Sequence, residues 1–441
     1  MKFEKKIFFS FDKNYSADIF FRQPDKYIEL EKISRIKKNF TNMGTNLSYS
    51  PLCFGKDSIA LQLKKFNRIL NFDLNTKEIT VESGLNLAEL LNFTLKYNLW
   101  IPQLPGYPLI SVGGAVASNA HGKSCAFHGT IRNSIKRISL FHKDNGWLNL
   151  SKKENKEIFD LTIGGLGLTG TIVNITFELE EIKNKSFTTN KTKVLTISDC
   201  IKKIREKSDN KSSFTYSWNR ADSLKNLGKG IIFENSLDNN GTEKTQYIPE
   251  KLTNKFTKLP FSLWNNYSIK FANLIFFHLN YSLNKNKKEN FLKVIFPFYG
   301  NENYFNFFGK KGFIESQLLI SEEKITEFFD EFKYLFKLHK PSITLFSFKN
   351  MSGEQKFLRF EDNKICVTID YINDKKNKIF MEEIDKICIK LKILPSIIKD
   401  SRLSRNVFEK CYQYADNFRR ELYLFDKNRV YKSETSHRLE L

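Results

Sequence analysis

A two-domain α+β chain is what the sequence predicts, on three observations. Short apolar strands and Gly-rich loops dominate the first 182 residues. A polar, Asn/Lys-rich stretch over 183–245 then breaks that character. Further on, strand, helix, strand, strand and helix patterns succeed one another between 312 and 394, an α+β arrangement. The first domain is therefore placed at 1–182 and the second at 183–394.

The elements follow in order. "SIALQL", "ILNFDL" and "EITVES" read as strands between 58 and 83, each a short apolar run closed by polar residues. "NLAELLNFTLKYNL" has leucines three and four apart, which predicts an amphipathic helix, with Asn86 ahead of it as N-cap. "WIPQLPGYPLISVGGAVASNAHGKSCAFHGT" (100–130) has little periodicity and reads as one long loop; loops of that length inside compact domains are usually functional. "IKRISLFH" and "WLNLS" are expected to pair as a hairpin through "KDNG" (143–146), and a Gly-rich turn precedes the β-branched strand Thr171–Leu179. In the second half "GFIESQLLI", "ITLFSFKNM" and "KICVTIDYI" alternate as strands. "SEEKITEFFDEFKYLFKLH" and "NKIFMEEIDKICIKLKIL" read as helices. The aromatic stretch 261–283 is expected to be core in preference to a membrane-touching patch, because its Asn and Lys residues leave no clean polar face.

Composition narrows the function classes. No run of about 18 apolar residues exists to span a bilayer, and the N-terminus reads as that of a mature cytoplasmic protein. The six cysteines, Cys53, Cys125, Cys200, Cys366, Cys388 and Cys411, are scattered without zinc-ligand spacing; reduced thiols and no metal are expected. A net charge of +22 suits anionic partners or an anionic membrane surface. Nucleic acid is not expected, since the lysines are dispersed and do not interleave with aromatics along one element.

The chemistry concentrates in "SVGGAVASNAHGKSCAFHG" (111–129). The stretch ends like a phosphate-cradling loop in Gly-Lys-Ser, but the first glycine of such a motif would fall on Ala117. The remaining reading is a backbone-lined channel for an extended anionic cofactor, because closely spaced main-chain N–H groups bind pyrophosphate.

"VGGAVASNAHGK" together with "IGGLGLTGTIVNITFELE" (163–180) resembles the FAD-binding PCMH-type domain of the vanillyl-alcohol-oxidase superfamily. Within it, "GLNLAELLNFTLKYNLWIPQLPG", "GFIESQ", "FSFKNMSG", "KICVTID", "IIKDSRLS" and the terminal "HRLEL" resemble the decaprenylphosphoryl-β-D-ribose 2-oxidase family. The resemblance implies a vanillyl-alcohol-oxidase-like fold: an FAD domain, a substrate domain with an antiparallel sheet, and a C-terminal segment 395–441 returning to the FAD domain. It implies an early cofactor loop at Asn42, Met43, Gly44, Thr45, Asn46, Leu47, Ser48 and Tyr49, where Asn46 and Leu47 depart from the family pattern. Further FAD contacts carry over to Gly106, Ser111, Val112, Gly113, Gly114, Ser118, Asn119, Ala120 and His121, with Ile172 at the adenine end. The 42–52 loop has no His to link FAD covalently, so non-covalent FAD is expected, with Cys125 near the alternative linkage position.

For catalysis the resemblance points to Lys399 and Cys366 beside the flavin ring and to His121 on the substrate side. Lys399 is expected to stabilise the negative charge that hydride transfer develops, whereas Cys366 is expected to shape the wall. Lys123, Gln317 and Lys349 are expected to line a sugar and phosphate pocket, and Trp218 reads equally as core or as a lid. The implied reaction is oxidation of a secondary sugar hydroxyl, on a pentose linked to a polyprenyl phosphate, as the first half of an epimerisation completed by a short-chain reductase. The substrate lipid would place the enzyme at the inner membrane face. The rival readings are an aldonolactone oxidase, whose His-Trp-Gly-Lys-type ending is missing from "SETSHRLEL", a basic nucleic-acid-binding protein, and a flavin-less scaffold.

Overall fold

The computed structural model describes residues 3–183, 185–208, 213–238, 259–282 and 286–441. The hairpin Glu4–Phe9 and Ser16–Arg22 opens a four-stranded sheet, which Ser58–Gln62 and Asn39–Met43 complete as parallel strands. Alternation buries Phe8, Ile19, Met43 and Ala60 in one small core, and Phe40, Ile59 and Leu61 in another.

A five-stranded antiparallel sheet follows, in the spatial order Ile69–Asp73, Glu78–Glu82, Thr171–Glu178, Ile135–His142 and Gly146–Ser151. The expected hairpin is present, and Gly146 takes φ +73° at its turn, a conformation glycine adopts without steric cost. The helix Leu87–Leu95 starts where the cap was expected. Asn86 accepts from Glu89 N at 2.9 Å and Glu89 reaches back to Asn86 N, a reciprocal capping box. Its buried leucines join the cluster that includes Ile79, Val81 and Ile175 of the sheet.

In the C-terminal half one sheet holds Ser213–Asn219, Gly230–Leu237, Ser186–Val194 and Lys287–Asn290, and another holds Ile343–Asn350, Ile365–Ile372, Phe313–Ile320 and Leu394–Pro395. Their edges meet at Ser217, whose Oγ accepts from Phe348 N at 3.0 Å and whose carbonyl accepts from Ser347 Oγ at 2.5 Å. The register sets Glu315 opposite Asp370, Gln317 opposite Thr368, and Cys366 opposite Lys349. Because successive strand side chains alternate, Phe346, Phe348, Val367 and Ile369 fall on the other face. There they join one core with Phe328, Phe332, Phe380 and Ile384 of the helices Glu322–His339 and Lys375–Leu391. The sheet is thus apolar on its helix side and studded with functional groups on the other.

The chain end lies against the first sheet. Phe40 N donates to Val430 O at 2.9 Å, Lys432 N to Phe40 O at 2.8 Å, and Glu434 N to Phe54 O at 2.9 Å.

Two expectations differ from the structure. The 100–130 segment is not one loop: Val112–Ala117 is a helix, capped by Ser111 Oγ accepting from Gly114 N. Its two glycines concealed it, since glycine is a poor helix former. The aromatic stretch 261–283 is not core. It forms the helix Asn266–Ser282, in which Ile269, Asn273 and Phe277 are buried while Tyr267 is 85% and Phe271 66% exposed. Among the described residues the fully buried positions fall at i, i+4 and i+8, a narrow stripe that serves the core, with Phe276 beside it against Trp218.

Candidate active site

The early loop leaves the strand Asn39–Met43 and runs against the helix Val112–Ala117. A Cβ on Gly44 would stand 2.0 Å from Ser111 Oγ, and one on Gly113 would stand 2.7 Å from Ser83 Cβ. Gly113 N donates to Ser83 O at 2.7 Å and Val112 N to Leu85 O at 2.8 Å. These glycines therefore bring three backbones together, whatever ligand lies beside them.

Side chains assigned to the cofactor divide into two groups. Met43, Val112 and Ile172 are buried in apolar clusters, so their role is to support the loops from behind. Asn42 is likewise engaged: its Nδ2 donates to Gly167 O at 3.1 Å and Gly170 O at 2.9 Å, and its Oδ1 accepts from Thr171 Oγ1 at 2.7 Å. It clamps the second Gly-rich turn. Asn46, at φ +57°, donates to Phe9 O and accepts from Cys53 Sγ. Ser118 Oγ donates back to Gly114 O at 2.8 Å. Thr45 and Leu47 are half-buried, as are Gly106 and Ala120.

In the second group, Ser48 Oγ, Ser83 Oγ, Asn119 Oδ1 and His121 Nδ1 are buried and have no hydrogen-bond partner among the described residues. Buried polar atoms in native folds are almost always satisfied. Four unsatisfied ones on the early loop, the strand end and the segment after the helix fit a polar ligand held between those segments, as FAD would be. Ser83 was not singled out in the sequence, because a lone serine at a strand end carries no signal.

Lys349 and Gln317, expected on the substrate side, lie on the polar face of the sheet, with Lys399 just beyond its short edge strand. Lys399 follows the short strand Leu394–Pro395, and its Nζ stands 3.3 Å from Glu315 Oε1 and 3.6 Å from the centre of the Tyr49 ring. Lys349 Nζ donates to Gly122 O at 3.4 Å, and Lys123 Nζ lies 3.4 Å over the Tyr216 ring. Burial first, then the Lys349 and Lys399 charges, hold the His121 imidazole well below its ordinary pKa; burial and Lys349 do the same to Lys123. Mutually repelling cations under low dielectric make a site suited to an anion. Burial pushes the Cys366 thiol up to about 11, so it stays a thiol, consistent with a shaping role. Gln317 is buried, and its carbonyl accepts from Ser396 N, tying the strand to the segment that carries Lys399.

Trp218 is buried in an apolar cluster, its ring 4.4 Å from Phe276. The aromatic that meets Lys123 is Tyr216, two residues earlier on the same strand. Glu315 and Asp370, both buried at the centre of the site, were also missed. The available signal was an acidic residue on the functional face of each of two alternating strands.

Known proteins share sequence with this chain. Residues 23–151 match the FAD binding domain family. Decaprenylphosphoryl-beta-D-ribose oxidase of Mycolicibacterium smegmatis is 24% identical over 422 residues, covering 90% of this chain and 88% of that protein. L-gulonolactone oxidase of Mus musculus is 28% identical over 122 residues, 28% of each chain. D-arabinono-1,4-lactone oxidase of Candida glabrata is 27% identical over 157 residues, 34% of this chain and 30% of that one. The chain thus spans less than a third of these two lactone oxidases but most of the ribose oxidase. Residues 23–151 thus carry an FAD binding domain, within a chain of mixed α+β build with several antiparallel sheets that is similar over most of its length to a sugar oxidase.

Proposed function

We propose that this chain oxidises a secondary hydroxyl of a sugar, on a pentose joined to a polyprenyl phosphate. The observation that carries the reading is the convergence of Lys123, Lys349, Lys399 and His121 on one functional face. Similarity to the ribose oxidase along most of both chains supports it. FAD, when bound, supplies the acceptor for the hydride of the carbinol carbon.

The chain's own residues do the rest. Ser48, Ser83, Asn119 and His121 would hold the cofactor through their unsatisfied polar atoms, together with backbone N–H groups of the early loop. Lys123 and Lys349 would hold the substrate phosphate as point charges on flexible stems. Lys399 places an ammonium where negative charge develops. FAD is held non-covalently in this reading: the 42–52 loop has no His, and the buried Cys125 thiol donates to Asn350 O with its pKa raised by burial. A short-chain reductase that returns the keto sugar as its epimer is the partner the reading calls for.

The test is anaerobic bleaching of the flavin absorbance in purified protein. Decaprenylphosphoryl-β-D-ribose should bleach it and L-gulono-1,4-lactone should not. Bleaching by the lactone alone would establish the aldonolactone reading instead, and protein without flavin absorbance would overturn the enzyme reading. Acid precipitation should leave the yellow colour in the supernatant.

A further inference from the structure

Oxidising an alcohol requires that its hydroxyl proton go somewhere; the ammonium groups assigned above have no free pair to take it, and burial together with the Lys349 and Lys399 charges opposes a proton on His121. The site holds a second, acidic layer. Glu315 and Asp370 face one another across adjacent strands and are only 3% and 1% exposed. Tyr304, from the short helix Asn303–Asn306, donates to Asp370 Oδ2 at 2.7 Å and shares a contact of 2.8 Å with Thr344 Oγ1. Glu315 Oε1 accepts no hydrogen bond among the described residues; its ionic neighbour is Lys399 Nζ at 3.3 Å.

Two carboxyl groups facing one another in a buried site oppose each other's ionisation. The surroundings decide which gives way. Burial, then the Glu315 charge, raise Asp370 well above the ordinary carboxyl range, while the Tyr304 hydroxyl and the Lys399 charge only partly oppose this. The other group facing the pair is the Tyr49 phenol, raised by burial and then by the charges of Glu315 and Asp370; behind it, Asp12, itself raised by burial and hydrogen-bonded to Ser10 and Asn14, also acts on Tyr49. Cys366 stands further along the strand as a neutral thiol.

We propose that Glu315 is the proton acceptor of this site, taking the hydroxyl proton of the bound sugar while Lys399 stands beside it and Asp370 and Tyr304 back it. The inference rests on the oxidation proposed above. The O–H bond breaks with its proton going to the Glu315 carboxylate, and its electron pair becomes the second C=O bond. The C–H pair would leave as hydride, for which FAD, when bound, would supply the two-electron acceptor. The neighbouring ammonium lowers the energy of the intervening alkoxide, and burial, which favours the neutral form of Asp370, keeps a second charge from standing beside the acceptor.

Two readouts test this in the FAD-loaded protein. The first needs no turnover: infrared spectra at pH 7 should show a protonated carboxyl C=O band that disappears in Asp370→Asn. A wild type without the band, or a band that persists in Asp370→Asn, overturns the carboxyl pair. The second is the rate of flavin bleaching by decaprenylphosphoryl-β-D-ribose. Glu315→Gln should slow it about 100-fold, the scale of general-base catalysis, and flatten its pH profile, with the flavin spectrum unchanged. Glu315→Asp should restore part of the rate and the pH dependence, and it serves as the informative variant if Glu315→Gln does not fold. A Glu315→Gln or Glu315→Asp protein with wild-type rate and pH profile overturns the acceptor role. A wild type that this substrate does not bleach overturns the substrate reading and the acceptor role with it, leaving the carboxyl pair to stand or fall on the infrared result.

Discussion

Asn119 Nδ2 donates to Glu361 Oε2 at 3.0 Å, and this bond joins the two halves of the chain at the site. Asn119, at φ +46°, ends the turn that presents His121. Glu361 comes from the segment after the strand Ile343–Asn350 and also accepts from Thr130 Oγ1 at 2.8 Å, with Arg359 3.7 Å away. Arg359 in turn is 1% exposed and donates to Ile163 O at 3.1 Å and Asp160 O at 2.6 Å. Removing one member of a buried charged network leaves its partners unpaired and costs about 3–5 kcal/mol. Glu361→Ala should therefore lower the thermal midpoint measured by circular dichroism. It should also weaken FAD binding, read by flavin fluorescence, more than the exposed change Asp416→Ala does.

Gly44 gives a sharper test of the cofactor loop. An alanine there would press against Ser111 Oγ, which caps the helix Val112–Ala117. Relief requires moving either the loop or the cap, and overpacking of this kind costs about 1–3 kcal/mol. Gly44→Ala should lose bound FAD on gel filtration. Adding Ser111→Gly, which removes the obstructing hydroxyl and still permits a cap, should recover much of it. No recovery would mean that the loop, and not the contact, is what glycine protects.

Much of this architecture was legible because it follows from local rules. The Asn86–Glu89 box, the 143–146 turn and the alternating strands each need only a few neighbouring residues to form. The helix Val112–Ala117 was hidden because its stability comes from Ser83 and Leu85, which are distant in sequence. At the candidate site, Lys399, Lys349 and His121 were named through the resemblance, and the structure places the two lysines near His121. Glu315 and Asp370 were not named, because their meaning lies in a cross-strand register that composition does not carry. The helix Asn266–Ser282 misled in the opposite direction, since its apolar content exceeds what its inward stripe can bury.

His121 leads to a pH dependence with a definite sign. Its folded-state pKa lies well below the ordinary imidazole value, through burial first and the Lys349 and Lys399 charges second. A depressed imidazole is stabilising above its unfolded pKa of about 6.5, and that stability is lost as pH falls towards the folded value. Wild type should therefore lose more stability between pH 7 and pH 5 than His121→Gln does, in urea melts run at each pH. Lys349→Met should raise the His121 pKa in a nuclear magnetic resonance titration, but not to the unburied value, because the larger cause remains. An unchanged titration would remove Lys349 from the neighbourhood that the site chemistry assigns it.

The exposed side of the helix Asn266–Ser282 bears on where the chain would meet the lipid-linked substrate proposed above. Tyr267, Phe271, Leu274, Ile275 and Leu279 are all exposed, as is Phe261 just before it. Contiguous apolar surface of this kind on a basic protein suits adsorption to an anionic bilayer, where apolar burial and charge attraction add. Trp218 against Phe276, and Asn273 donating to Asp222 at 3.4 Å, fix the helix to the sheet whose Tyr216 meets Lys123. Adsorption through this face would therefore hold Lys123, proposed above to bind the substrate phosphate, close to the lipid surface. The full chain should float with vesicles containing anionic lipid more than with neutral ones, and less so at high salt. Phe271→Glu with Ile275→Glu should reduce flotation severalfold while leaving the flavin spectrum unchanged, since neither residue is buried in the core. Equal flotation of the double variant would show that the lysine-rich surface alone accounts for membrane contact.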